Sequence, residues 1–140
     1  MNNKTGKFNG LSEYKSVGMR SEIESATPHR LIQMLLDGAM AKISIAKGCI
    51  ERDDVNGKCE NIDWAISIVG GLQGSLDFEQ GGSLAEKLDG LYDYISRQLV
   101  VANARNDSAL LDEVGSLLSE VRTGWSGIAP VPETVSARAG

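Results

Sequence analysis

The sequence predicts an all-α protein, an antiparallel four-helix bundle preceded by an N-terminal arm or short helix. Three observations carry this. Apolar residues recur at alternating steps of three and four in four successive segments, the spacing that gathers side chains on one face of a helix. Polar or glycine-rich breaks separate the segments at Arg52–Lys58, Gly81–Gly82 and Asn106–Asp107, and connections this short place consecutive helices antiparallel. No window alternates with a period of two for long enough to make a strand.

The elements follow in order. Residues 1–10 are polar and rich in Asn and Gly, and are expected to be disordered. Residues 11–26 hold a weak pattern with Leu11, Tyr14, Val17 and Met19 as apolar anchors and read as an arm lying on the bundle, which spans 27–128. The first bundle helix opens at Thr27 as N-cap with Pro28 at N1, where the missing N–H of proline costs nothing. Its apolar stripe is Ile32, Leu36, Ala39, Ile43, Ala46 and Ile50. The second helix is expected from about Cys59 to Phe78, with Ile62, Ala65, Ile66, Val69, Leu72 and Leu76. Ser83 with Glu86 forms a capping box that should open the third, whose stripe runs Leu84, Leu88, Leu91, Ile95, Leu99 and Ala102. Asn106 and Asp107 end it and cap the fourth, which carries Leu110, Leu111, Val114, Leu117, Leu118, Val121, Trp125 and Ile128. Residues 129–140, with Pro130 and Pro132, read as a flexible tail.

Composition narrows the function. A chain of 140 residues suffices for one domain that buries about two thirds of its unfolded surface. With 24% charged residues and a net charge of -5 it reads as a soluble protein whose acidic balance disfavours nucleic acid and anionic membrane surfaces. No apolar run approaches the roughly 20 residues that span a bilayer, and no signal-peptide core follows Lys4 and Lys7, so the expected location is cytoplasmic, without membrane insertion. Cys49 and Cys59 read as reduced thiols. A zinc site needs about four ligands, and a di-metal bundle needs Glu-x-x-His pairs on facing helices. The chain has neither, and no cofactor or catalytic constellation is expected. The single histidine, His29, falls in the first helical turn, where a structural or surface role suits it better than phosphotransfer from mid-helix.

The first two helices carry apolar residues on a second face. On the first this stripe is Met34, Gly38, Ala41 and Ile45; on the second, Trp64, Ile68, Gly71 and Ser75. One stripe packs a helix into a bundle. A second points to an interaction surface, and the glycines within it, poor helix formers, suit the close approach of another chain. The expected mode is helix-in-groove capture, with Met34, Ala41, Ile45, Trp64 and Ile68 in apolar contact and Gly38 and Gly71 allowing close approach. Tyr94, with Val101, would extend the surface. The competing reading is a bundle that uses these stripes to self-associate as an adaptor.

Several motifs resemble one family. Thr27-Pro28-His29-Arg30-Leu31-Ile32-Gln33-Met34-Leu35-Leu36-Asp37-Gly38-Ala39 is similar to the helix-one signature of FliS, the flagellar secretion chaperone for flagellin. Leu91-Tyr92-Asp93-Tyr94-Ile95 followed by Ala102-Asn103, the break at Leu76-Asp77 and Gly81-Gly82, and the last helix ending at Trp125 agree, so the resemblance covers about residues 11 to 128. Leu36 departs from it, standing where the family often has an aromatic, and the N-terminus is longer before Tyr14. The resemblance implies a bundle that binds the disordered C-terminal region of flagellin in the cytoplasm, where the client wraps the bundle and gains helical structure. It further implies that premature filament assembly is prevented and that the subunit is delivered to a flagellar export gate component. It implies too that an arm bearing Tyr14 covers the groove when no client is bound, and on that basis Tyr14 and Val17 would form a displaceable lid. A homodimer without client is compatible with the same surface.

Overall fold

The structure is a computed structural model that describes residues 26–128. Among the described residues it contains four helices and no strand: α1 (Pro28–Glu51), α2 (Val55–Gly74), α3 (Phe78–Arg105) and α4 (Ser108–Ser126). Each helix packs on its neighbours in the chain, and α1 also packs on α4, closing a four-cornered bundle in which α1 and α2 share the most extensive interface. The α3–α4 edge therefore lies across the bundle from the α1–α2 edge.

Local chemistry sets the boundaries. The Thr27 hydroxyl accepts the Arg30 N–H at 3.1 Å, and Pro28 stands at the head of α1, as the sequence predicts. The α1–α2 connection is tighter than expected. Asp53 takes a left-handed conformation (φ 58°), and the Asp54 carboxylate accepts the Gly57 N–H at 3.0 Å, so α2 begins at Val55 and not near Cys59. Gly57 belongs to the helix: a Cβ there would run into the capping Asp54 carboxylate and stand 2.8 Å from Cys49 Sγ, so this glycine admits the cap and lets the head of α2 close on α1. At its other end α2 stops at Gly74, short of the predicted Phe78.

The start of α3 also differs from expectation. Asp77, not Ser83, caps the helix, accepting from the N–H groups of Glu79 and Gln80 at 3.1 Å each. A turn from Phe78 precedes a break at Gly82, whose φ of 52° and ψ of -127° are non-helical. The far end agrees with the sequence: Asn106 turns left-handed (φ 52°, ψ 47°) and Asp107 caps α4, accepting from Leu110 N–H at 3.0 Å.

The core follows the predicted stripes except at their ends, where Leu84 and Ile128 are exposed and Ile128 lies beyond the last helix. Leu36, Ala39, Ile43 and Ala46 of α1 meet Ile62, Ala65, Val69 and Leu72 of α2, Tyr92, Ile95, Leu99 and Ala102 of α3, and Leu111, Val114 and Leu118 of α4. Polar groups hold the helices in register at its margins. His29 Nε2 lies 2.9 Å from the Trp125 carbonyl, which can only accept, so that nitrogen carries the proton. The Trp125 indole N–H donates in return to the His29 carbonyl at 2.9 Å, and the two rings stack with centroids 5.1 Å apart. His29 is thus structural, a clasp between the first turn of α1 and the last of α4. Nearby, Arg122 pairs with both carboxylate oxygens of Asp37, at 3.0 and 3.2 Å. Lys47 pairs with Asp112, which holds the lysine pKa above its ordinary value.

Candidate functional site

The second stripe of α1 divides in two. Met34 and Gly38 are buried, so the first half of the stripe is closed to a partner in this structure. Ala41 and Ile45 are exposed, Ile45 at 46%, and lie one turn apart on the same face. Across the helix–helix seam stands Trp64 of α2, half-buried and packed against the edge of the core. The Lys42 ammonium lies over its ring, 3.7 Å from the centroid. A cation above an indole at a partly exposed site is worth about 0.5–1 kcal/mol, little enough for an incoming apolar group to displace it. Gly71, half-buried, lies two turns beyond Trp64 on the same side of α2.

Ile68 does not belong to this surface. It is 1% exposed and sits in the core. At ~100° per residue it lies only about 40° around the helix from Leu72, on the flank of the core stripe and not opposite it, as the sequence reading had placed it. Tyr94 is also placed elsewhere. Its hydroxyl donates to Glu113 of α4 at 2.6 Å, on the edge of the bundle away from α1 and α2, and that bond holds the phenol above its ordinary pKa. Tyr14 and Val17 lie outside the described residues.

What the structure brings together is therefore Lys42 of α1 over Trp64 of α2, with Ala41 and Ile45 exposed on the outer face of α1 and Gly71 further along α2. Lys42 was missed because a lysine among apolar residues reads as solvated. The signal that finds it is register: the short α1–α2 connection pairs residue 51 with 55, and the same count across the hairpin pairs 42 with 64.

Two further features concern chemistry. Lys58, 6% exposed, donates to the Asn103 carbonyl at 2.9 Å and to Asn106 Oδ1 at 2.6 Å, so it caps the carbonyl end of α3. Cys49 and Cys59 are free thiols, and the described residues contain no group of three or more His, Cys, Asp or Glu that could hold a metal ion. No helix among the described residues is long and apolar enough to cross a membrane.

Comparison with known proteins places this architecture. The family described as flagellar protein FliS matches residues 10–132. The chain belongs to the FliS family. The flagellar secretion chaperone FliSB of Pseudomonas aeruginosa is 45% identical over 119 residues, which is 85% of this chain and 94% of that protein. The flagellar secretion chaperone FliS of Salmonella typhimurium is 43% identical over 122 residues, 86% of this chain and 90% of its own. That of Vibrio cholerae is 33% identical over 127 residues, covering 91% and 93%. FliS is a family of chaperones and not of enzymes.

Proposed function

We propose that this chain is a cytoplasmic flagellar export chaperone that binds the disordered C-terminal segment of flagellin on its apolar outer surface. In doing so it prevents premature polymerisation and delivers the subunit to a component of the flagellar export gate. The observation that carries the reading is the outer surface of α1 and α2, where Ala41 and Ile45 are exposed beyond the core and Trp64 stands half-buried at its edge under Lys42. A bundle needs no such surface for its own packing. A disordered client does, because it must bury enough apolar area to offset the entropy lost on ordering. The resemblance implies an arm bearing Tyr14 over the same site, and we add Val17 to it as the second residue of a displaceable lid.

In this mechanism the client lies along the α1–α2 edge as a helix, its apolar side chains against Ile45 and Trp64. Lys42 moves off the indole as they arrive, and Gly71 admits close backbone approach. Met34 and Gly38 join the contact if the surface over them opens.

The test is isothermal titration with the last ~40 residues of flagellin from the same organism, a length suited to coupled folding and binding. One-to-one binding at micromolar affinity or tighter, with a negative heat-capacity change, supports capture. Absence of heat at several temperatures, together with a dimer that persists on dilution, replaces capture with self-association. Trp64→Asp should weaken the client at least tenfold; a loss of only a few tenths of a kcal/mol removes Trp64 from the site.

A further inference from the structure

We infer that α3 is a two-state element, hinged at Gly82, whose straight form extends the surface offered to the client; this last step rests on the function proposed above. Two features of the hinge serve opposite conformations. The kinked form depends on glycine twice over. At Gly82 the φ of 52° with ψ of -127° is a conformation that side chains exclude, and at Gly81 a Cβ would stand 2.9 Å from that of Ala85. The straight form is written in the spacing. Phe78, Ala85, Tyr92 and Leu99 are seven residues apart, as are Gly81, Leu88, Ile95 and Ala102, so both sides of the break share one helical face.

A chain that used only the kink has no need to keep Phe78 in phase with the buried line of Ala85, Tyr92 and Leu99. A chain that used only the straight helix has no need for two adjacent glycines, which disfavour helix interiors. Both features are explained when both conformations are used. The kink has a visible consequence, because Phe78 and Leu84 are 50% and 51% exposed on either side of it.

Position explains what the motion does. Gln73, in the last turn of α2, donates to both the carbonyl and the carboxylate of Asp89 and to Asp93. The residues of α3 before Leu88 therefore reach the end of α2 and run on past it. In the straight form Phe78, Gly81 and Leu84 continue the apolar face of α3 beyond the buried Ala85 into that overhang, where α2 no longer covers it. A client helix lying there would cover Phe78 and Leu84 together, and would draw the population toward the straight form. Gly82 is open around its missing Cβ, with nothing within 4 Å, so alanine at this position changes backbone preference alone.

The experiment is spin-label distance measurement on the full chain with Cys49→Ser and Cys59→Ser and labels at Glu79→Cys and Arg97→Cys, both exposed. A straight helix sets those backbones about 27 Å apart, at 1.5 Å per residue, and the kink shortens the distance. The expected result is two populations without client, collapse to the long distance in Gly82→Ala, and a shift to the long distance when the flagellin segment is added. A single distance that neither Gly82→Ala nor bound client moves overturns the hinge. A response to Gly82→Ala but not to a client that titration shows to be bound overturns the coupling. If titration shows no binding at all, the proposed function fails, while the Gly82→Ala comparison still decides the hinge.

Discussion

Trp64 and Ile68 stand one turn apart on α2 in different surroundings, so substitutions there should separate stability from binding. Ile68→Ala removes a fully buried side chain and is expected to cost about 2–4 kcal/mol in chemical denaturation. Its titration with the flagellin segment should be unchanged at temperatures where the variant is folded. Ile45→Asp should behave in the opposite way. Its side chain is half in water, so the midpoint of unfolding should stay near that of the parent while the client weakens about tenfold, ~1.4 kcal/mol. Tyr92 supplies a prediction in pH. Burial pushes its phenol up to about 12, against roughly 10 in the unfolded chain. The neutral form is favoured in the fold, so this contribution is complete below pH ~10 and is lost as pH rises toward 12, amounting to about 2–3 kcal/mol. Unfolding free energies for the parent and Tyr92→Phe, measured from pH 9 to 12, should show this extra loss in the parent alone.

The helix ends show why some boundaries can be read from sequence and others cannot. Thr27-Pro28 and Asn106-Asp107 are local signals, in which a capping oxygen and a restricted or left-handed backbone act on their own neighbours, and the structure has both where the sequence predicts them. The start of α2 was hidden because Gly57 looks like a breaker. Its reason is double, since a Cβ there would collide with the capping carboxylate of Asp54 and with Cys49 Sγ of α1, and the second of these no local pattern carries. The same holds for Lys58, whose lysine-rich appearance suggests solvent but whose ammonium closes α3 from another helix. Replacing it leaves the Asn103 carbonyl and Asn106 Oδ1, both in a part-buried setting, without their charged donor. Lys58→Met is expected to destabilise the protein by about 2 kcal/mol, the scale of a hydrogen bond to a charged group, and to speed amide exchange in the last turn of α3 before the rest of the bundle. Uniform acceleration across all four helices would show that Lys58 contributes only to global stability.

At the scale of the molecule, bundle architecture was legible because it follows from the order of stripes and the shortness of loops. The surface was legible only in part. Periodicity shows which residues share a face, and its phase already sets Ile68 beside the core stripe, but how far a neighbour's side chains reach over a face depends on packing angles, which is why Met34 falls inside and Ile45 outside on one stripe. The division has a thermodynamic consequence. The core is closed without Ala41, Ile45 and Trp64 at its centre, so the bundle should unfold cooperatively whether or not a client is present, and the client should add its binding free energy to that of an already folded protein. At a free client concentration one hundred times its dissociation constant, the unfolding free energy should rise by about 2.7 kcal/mol, and at one thousand times by about 4.1. Denaturation at a series of flagellin-segment concentrations checks this. The slope against the logarithm of concentration should follow one site in the parent, and for Ile45→Asp the same curve should be displaced by about one decade. A rise that instead tracks total protein concentration without client would mark self-association as the event that the surface serves.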